Sequence, residues 1–320
     1  MKFTIIIPTY NGADYIEEAL LSAINQTRKA DAIIVSDDNS TDNTLEICSR
    51  YKDKVSIYKN EDGPSGFVEG WNNAIRLVED GYIAILHQDD LLAPTFLEEA
   101  EKALLHHPDV KHLFVPCNYI DGAGNVIREP DYCNGNTLRY TKDEYINTYI
   151  AYGTPHIHRC PGVVTHRSIF DVCKYRKEAG HIADDDFFYR VGQYTDVIGV
   201  MKPLASYREH NKSETGHLEN IKLVGRLAGD YLYQISEFAA NSFCSDKLKK
   251  YLKNNATYFG AQYLVLALKL NDAEELKKSI AIWSHLKQMG VSPSMKGRLV
   301  YVFYKIFGRQ ITHKCIKLLG

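Results

Sequence analysis

The feature that most limits what this chain can fold into is an alternation in its first third. Short apolar runs at 3–7, 32–35, 55–58, 82–86 and 113–115 are separated by stretches at 14–26, 42–51, 66–79 and 94–106 whose apolar residues recur at helical spacing. Strands of that length joined through amphipathic helices make a parallel sheet fed by crossovers, read here as β-α-β-α-β-α-β. Ser40-Thr41-Asp42 and Ala93-Pro94 mark two helix starts. In open sheets of this kind the ligand crevice lies beyond the carboxyl ends of the strands, so the residues that follow each run are the ones to read for chemistry. From about 117 to 165 the sequence is rich in Asn, Gly, Pro, Tyr and His, as loops and short strands around a cleft require. Beyond about 211 the pattern is helical through 218–286, and 291–320 holds no acidic residue.

Composition removes several classes. Lys+Arg 38 against Asp+Glu 40 leaves a formal charge of -2, so no global basic field points to nucleic acid as a partner. The seven cysteines, at 48, 117, 133, 160, 173, 244 and 315, are odd in number and scattered without a C-x-x-C pair, which reads as reduced thiols and a cytoplasmic location. The first apolar run is cut by Pro8 and is too short for the apolar region of a signal peptide. No window reaches the ~18 uninterrupted apolar residues of a membrane span. The chain is therefore expected to be soluble or to lie on a membrane surface.

Three strand ends carry unusual residues. Ile5-Ile6-Ile7-Pro8-Thr9-Tyr10-Asn11-Gly12 runs from a buried strand into a polar turn, with Pro8 expected to fix the turn and exposed backbone groups free to pair with a flat base. Ile33-Ile34-Val35-Ser36-Asp37-Asp38 delivers two adjacent carboxylates, which raise each other's pKa unless donors or cations meet them. Ala84-Ile85-Leu86-His87-Gln88-Asp89-Asp90 ends in a second pair, and hard cations such as Mg²⁺ take one or two carboxylates along with phosphate oxygens of a substrate. Alone, each motif is equally an ordinary loop or helix cap. Two strand-end acid pairs in one sheet weaken that alternative.

Together these motifs resemble the nucleotide-sugar half of family 2 glycosyltransferases with the glycosyltransferase A fold. The resemblance is continuous over about residues 3–100 and takes in Gly66-Phe67-Val68-Glu69-Gly70-Trp71-Asn72-Asn73-Ala74. It resumes at Ala183-Asp184-Asp185-Asp186 and at Leu204-Ala205-Ser206-Tyr207-Arg208-Glu209-His210. It implies a Rossmann-like mixed sheet flanked by helices, with a catalytic domain over 1–212 (nucleotide-sugar half 1–116, acceptor half 117–212) and a helical C-terminal region over 213–320. The activity implied is transfer from a nucleoside-diphosphate sugar, UDP-sugar favoured, to a hydroxyl of a glycan or lipid-linked saccharide with inversion. It sets Pro8, Thr9, Tyr10, Asn11, Asp38 and Gln88 around the donor nucleotide, Asn72 on its ribose or diphosphate side, and a divalent Mn or Mg ion on Asp89 with Asp90 and His210. Asp184 takes the position of the general base, and three consecutive carboxylates favour that role because they cannot all ionise cheaply. Asp185, His158, Arg208 and Lys212 fall on the acceptor or diphosphate side.

Two residues depart from the family pattern: His87 stands where the first acid of Asp-x-Asp is expected, and Ala183 where a glutamate is expected. They motivate a rival reading, a non-catalytic or metal-independent nucleotide-sugar-binding relative. A sugar nucleotidyltransferase lacks support because the loop after the first strand is not rich in glycine and arginine, and a dinucleotide oxidoreductase because G-x-G-x-x-G is missing there. His156, His158 and Cys160 share one face of an extended stretch and resemble half a zinc site, but no second spaced pair accompanies them. In 296–320 a helical projection gathers Arg298, Lys305 and Arg309 on one side and Leu299, Phe303, Ile306 and Phe307 on the other. That describes a basic amphipathic helix, suited either to an anionic membrane surface or to packing on the preceding helices.

Overall fold

The computed structural model describes residues 1–151, 157–210, 220–239, 245–291 and 295–318. The chain divides into two compact units, Met1–Lys177 with Asp184–His210, and Glu178–Ala183 with Asn211–Gly320.

The first unit runs β1 (Phe3–Thr9), α1 (Ile16–Ile24), β2 (Ala32–Asp37), α2 (Thr44–Ser49), β3 (Ser56–Lys59), α3 (Phe67–Arg76), β4 (Tyr82–Ile85), β5 (Leu91–Leu92), α4 (Phe96–His106) and β6 (His112–Phe114). It continues with β7 (Cys117–Ile120), β8 (Val126–Arg128), β9 (Thr137–Tyr140), α5 (Lys142–Ala151), β10 (Val163–His166), α6 (Ala183–Val191), β11 (Val197–Val200) and β12 (Ala205–Arg208). An eight-stranded sheet has the order β3-β2-β1-β4-β10-β6-β11-β9, and a four-stranded sheet the order β5-β12-β7-β8. The parallel array expected from the alternation holds for β3, β2, β1 and β4. It does not continue into β6, because β10 inserts between β4 and β6 antiparallel to both. The sheet is therefore mixed.

All seven residues of β1 are buried, as a strand covered on both faces demands. Phe3, Ile5 and Ile7 share one core with Ala19, Leu20 and Ala23 of α1 and Phe96, Leu97 and Leu104 of α4, residues that the 3.6-residue period places on the inward stripes of those helices. Pro8 lies within β1, opposite Ser36, and not in the turn where it was expected. The ladder between β1 and β4 ends where Leu86 N–H donates to Ile6 O (2.9 Å). The next β1 donor on that side would be residue 8, a proline, so the two strands part there and open the crevice.

The N-terminal turn of α6 is anchored by charge. Asp186 is fully buried, and its carboxylate receives Arg176 Nε (3.0 Å), Arg190 Nε (3.0 Å) and a further nitrogen from each guanidinium.

The second unit is helical: α7 (Ile221–Ala239), α8 (Asp246–Lys269), α9 (Ala273–Gln288) and α10 (Met295–Leu318). Ser245 caps α8 by accepting Leu248 N–H (3.1 Å), and Asp272 caps α9 by accepting from Glu274 N (2.9 Å) and Glu275 N (3.0 Å). The single amphipathic helix expected at the C-terminus is interrupted at Gly308, whose φ of 74° and ψ of 174° leave the helical region. Val300, Tyr301 and Tyr304 pack on Leu264, Ala267, Leu268 and Leu276. Leu299 (66%), Ile306 (67%) and Phe307 (46%) of the same helix stay exposed. Among the described residues no helix is long and apolar enough to cross a membrane.

Asp186→Ala should lower the thermal midpoint sharply, since removing one partner of a buried ion pair strands the others at a cost of about 3–5 kcal/mol. An unchanged midpoint would contradict this account of α6.

Candidate active site

The three strand-end turns are stitched to one another. Gln88 Oε1 accepts from Thr9 Oγ1 (2.6 Å) and Tyr10 N (2.8 Å), and Gln88 Nε2 donates to Tyr10 O (3.2 Å). A side chain at Gly12 would meet this clamp, because its Cβ would stand 2.5 Å from Gln88 Oε1. Asn11, at a φ of 49°, receives Thr41 N–H on Oδ1 (2.8 Å), while its own N–H donates to Ser40 Oγ (2.9 Å). Thr9, Asn11 and Gln88 thus hold the walls of the crevice together, whereas the Tyr10 side chain is 45% exposed at its rim.

The adjacent acids after β2 are each met by donors. Asp37 accepts from the amide and hydroxyl of Ser40. Asp38 accepts from Asn60 Nδ2 (2.9 Å), Ser65 Oγ (2.8 Å), Ser65 N (2.8 Å) and Gly66 N (3.0 Å). These four bonds use the lone pairs that a nucleobase was expected to use, so Asp38 here anchors the approach to α3. On α3, Asn72 donates to Tyr175 O (3.0 Å).

The end of β4 divides its acids. Asp89 Oδ2 lies 2.9 Å from His210 Nε2, and both side chains keep some exposure. Burial alone would raise the Asp89 pKa; the His210 hydrogen bond and the charge of His87 reverse this and hold it below the usual carboxylate range. Asp90 is turned inward, 1% exposed, with Oδ1 accepting Arg208 N–H (2.9 Å) and Oδ2 3.5 Å from His87 Nδ1. Burial and the Asp89 charge push it up to about 6. That orientation corrects the expectation of Asp90 as a metal ligand, and among the described residues no three His, Cys, Asp or Glu side chains converge on a metal position. His87 is raised well above its ordinary value, since Cys160 and Asp90 beside it outweigh its burial.

Arg208 is likewise corrected. Rather than reaching toward a diphosphate it is 1% exposed, with its guanidinium donating to Asp89 O (2.7 Å), Asp121 O (3.3 Å), Gly122 O (3.3 Å) and Glu18 Oε2 (2.7 Å). Lys212 and His156 lie outside the described residues. His158, expected on the acceptor side, belongs to an aromatic core instead: it stacks on Phe114 (4.5 Å), meets Phe188 edge-on (4.5 Å), and its Nε2 pairs with Tyr145 Oη (2.8 Å). The zinc-like grouping thereby loses its imidazole to packing.

At the start of α6 the three consecutive acids separate. Asp186 is held by two arginines. Asp185 is 7% exposed and accepts from Tyr149 Oη (2.5 Å), a contact that fixes it inside the protein. Asp184 is half-buried, and among the described residues its one hydrogen bond comes from Asp185 N–H (2.9 Å). Burial and the Asp185 charge push the Asp184 pKa up to about 6, against the opposing pull of Arg159, the Asp185 amide and His87. His87 therefore acts electrostatically on Asp89, Asp90 and Asp184 at once.

Three further residues complete this surface. Trp71 of α3 stacks on His87 (5.1 Å, 16°) and meets Tyr175 edge-on (5.2 Å). Arg159 donates to Tyr119 Oη (3.2 Å) and bears on both Asp184 and Asp185. Glu18 reaches Arg208 from α1. The signal for Arg159 was its place between His158 and Cys160, and that for Trp71 its place one residue before Asn72. Nothing local marked Glu18, whose partner is 190 residues away.

The chain resembles known glycosyltransferases in sequence and in fold. The family model described as Glycosyl transferase family 2 matches residues 4–170. An uncharacterized glycosyltransferase of Rickettsia typhi is 29% identical over 66% of this chain, and one of Rickettsia conorii 31% identical over 68% of it. The matches span 65% and 35% of those relatives' own lengths. Among solved structures, S. aureus TarS 1-349 in complex with UDP-GlcNAc has a TM-score of 0.62 at 17% identity, covering 99% of this chain and 90% of that one. The mannosyltransferase PcManGT from Pyrobaculum calidifontis, in complex with GDP-Man and Mn2+, has a TM-score of 0.57 at 18% identity, covering 99% and 83%. With more than half of its length in the family match and the mixed sheet of those structures, the chain belongs to glycosyl transferase family 2 and has the glycosyltransferase A fold.

Proposed function

We propose that the protein transfers a sugar from a nucleoside-diphosphate sugar, a UDP-sugar foremost, to a hydroxyl of a glycan or lipid-linked saccharide, with inversion at the anomeric carbon. The observation that carries the mechanism is the fate of the three acids at α6. Two are committed to protein partners, and Asp184 keeps a lone pair and a pKa of about 6. Asp184 accepts the proton of the acceptor hydroxyl while its oxygen bonds to the anomeric carbon, and the bond to the departing diphosphate breaks on the opposite face. The UDP-GlcNAc held by TarS supports the choice of donor. Residues 1–116 serve the donor, 117–212 the acceptor, and 213–320 form the helical region.

The donor set fits a divalent cation. Asp89 and His210 place a carboxylate oxygen and an imidazole nitrogen 2.9 Å apart with some exposure, and carboxylate plus imidazole suits Mn²⁺ better than Mg²⁺. When bound there, the cation neutralises charge on the leaving diphosphate. His87, whose pKa Cys160 and Asp90 raise and whose charge would bear on Asp89 and Asp184, supports a second, metal-independent reading of the same transfer.

The C-terminal region brings the enzyme to the cytoplasmic face of the membrane that carries a lipid-linked acceptor. Leu299, Ile306 and Phe307 stand exposed on α10, and Arg298 and Lys305 accompany them on its outer side. Each Lys or Arg near an anionic surface adds about 1 kcal/mol before screening.

Titration with UDP, GDP, CDP and dTDP sugars in the presence of Mn²⁺ tests the donor. Binding of none refutes the reading, and binding without turnover favours a non-catalytic relative. Asp89→Asn should abolish Mn²⁺ stimulation along with most activity, whereas full turnover by that variant rejects the metal assignment. Asp184→Asn should keep donor affinity while turnover falls by ~10² to 10⁴-fold, the usual loss with a general base. Turnover of the unmodified enzyme should rise with pH through about 6, as Asp184 ionises. Stability runs the other way. A carboxyl with its folded pKa raised from 3.8 to about 6 holds an extra native proton between those values, so ionising it destabilises the fold. Asp184→Asn should therefore raise the thermal midpoint above pH 6 and leave it unchanged below about pH 4; a midpoint shift independent of pH contradicts the raised value. Deleting the chain after Gly290 should abolish salt-sensitive sedimentation with anionic liposomes, and equal binding by both forms rejects the membrane role.

A further inference from the structure

The six residues that lead into Asp184 do not belong to the unit on either side of them in sequence. Glu178–Ala183 clusters with the C-terminal helices, and the chain returns to the sheet unit at Asp184. Within that segment Gly180 adopts a φ of 58° and a ψ of -129°, a conformation that L side chains rarely enter. A Cβ there would stand 2.2 Å from Asp230 Oδ1, so the glycine is needed for both its conformation and its space. Asp230, on α7, accepts the His181 amide on Oδ2 (2.9 Å). His181 Nδ1 lies 3.5 Å from the same carboxylate, and its Nε2 faces Arg226 Nη1 (3.3 Å). Simple packing of a loop on a helix requires none of this. A carboxylate that takes a backbone amide, fitted against a glycine in a restricted conformation, is a device for fixing the path of the main chain.

We infer that Asp230 is a positioning residue for the transfer reaction. By clasping the backbone at Gly180 and His181 it sets where the chain enters α6, three residues before Asp184. The inference rests on the reading of Asp184 as the base. The needed precision is high, since a displacement of ~1 Å at a reacting group costs about 10²-fold in rate.

The test uses the full chain and four variants. In Asp230→Ala, hydrogen exchange of the peptide 178–186 should rise while α7 stays protected. In Asp230→Asn, whose amide oxygen still accepts the His181 N–H, it should match the unmodified protein. With UDP-GlcNAc and Mn²⁺ as the hydrolysis probe, Asp230→Ala and Gly180→Ala should lower kcat by about 10- to 100-fold with donor affinity unchanged, and Asp230→Asn should restore it. Gly180→Ala leaves α7 untouched and carries the comparison if Asp230→Ala fails to fold. Unchanged exchange in Asp230→Ala, or a loss of donor affinity equal to the loss in kcat, overturns the inference. Normal turnover by Asp184→Asn would refute the base assignment instead, and the exchange measurement would then decide the clasp by itself.

Discussion

The site hangs on one buried guanidinium. Arg208 is 1% exposed, and a charge so placed is tolerable only when its donors are met. Its partners come from three places: the Asp89 carbonyl after β4, the Asp121 and Gly122 carbonyls between β7 and β8, and Glu18 on α1. Its backbone amide adds Asp90. Through these bonds the four-stranded sheet is tied to the turn that presents Asp89, and the direction of the Asp89 side chain follows from the anchoring of its own carbonyl and of its neighbour. His210 then falls beside Asp89 because it lies two residues beyond Arg208 at the end of β12. A residue read from sequence as a ligand contact is thus the strut that sets where another side chain stands.

The same logic of commitment separates acids that look alike in sequence. Asp37, Asp38, Asp90, Asp185 and Asp186 are each bound by protein donors. Asp89 and Asp184 face outward enough to meet a ligand, and their surroundings push them in opposite directions, Asp89 down and Asp184 up. Opposed tuning of two acids in one site is the pattern that the proposed function draws on, with one acid for charge stabilisation and the other for proton transfer.

What was legible in the chain was what local periodicity encodes. The first four strands, their helices and the helical C-terminal unit stood close to their expected positions, because their stripes face one core. The insertion of β10 between β4 and β6 was not legible, since a pairing across some 80 residues leaves no local mark. In the site, motif spacing located Thr9, Gln88, Asp89, Asp184 and His210 at strand and helix ends. It did not distinguish side chains that face the crevice from those that brace it, because that depends on partners distant in sequence. Asp38 is spent on the turn at 60–66, and His158 on rings from β6, α5 and α6. The break at Gly308 was hidden because a helical projection assumes the helix it is drawn on.

The two departures from the family pattern act in one direction. Ala183 is fully buried at the start of α6, so a glutamate there would add a fourth carboxylate to a turn that already uses two arginines and a tyrosine to hold two of its three. His87 stands where an acid was expected, and its stacking on Trp71 together with Asp90 behind it fixes where that imidazole stands. Each change leaves the chain with one carboxylate fewer than the family pattern carries at that position. On the function proposed above, Asp89 and His210 would make a sparse two-residue ligand pair, and dense acidic coordination of an ion would be unnecessary beside a His87 whose surroundings favour its protonated form.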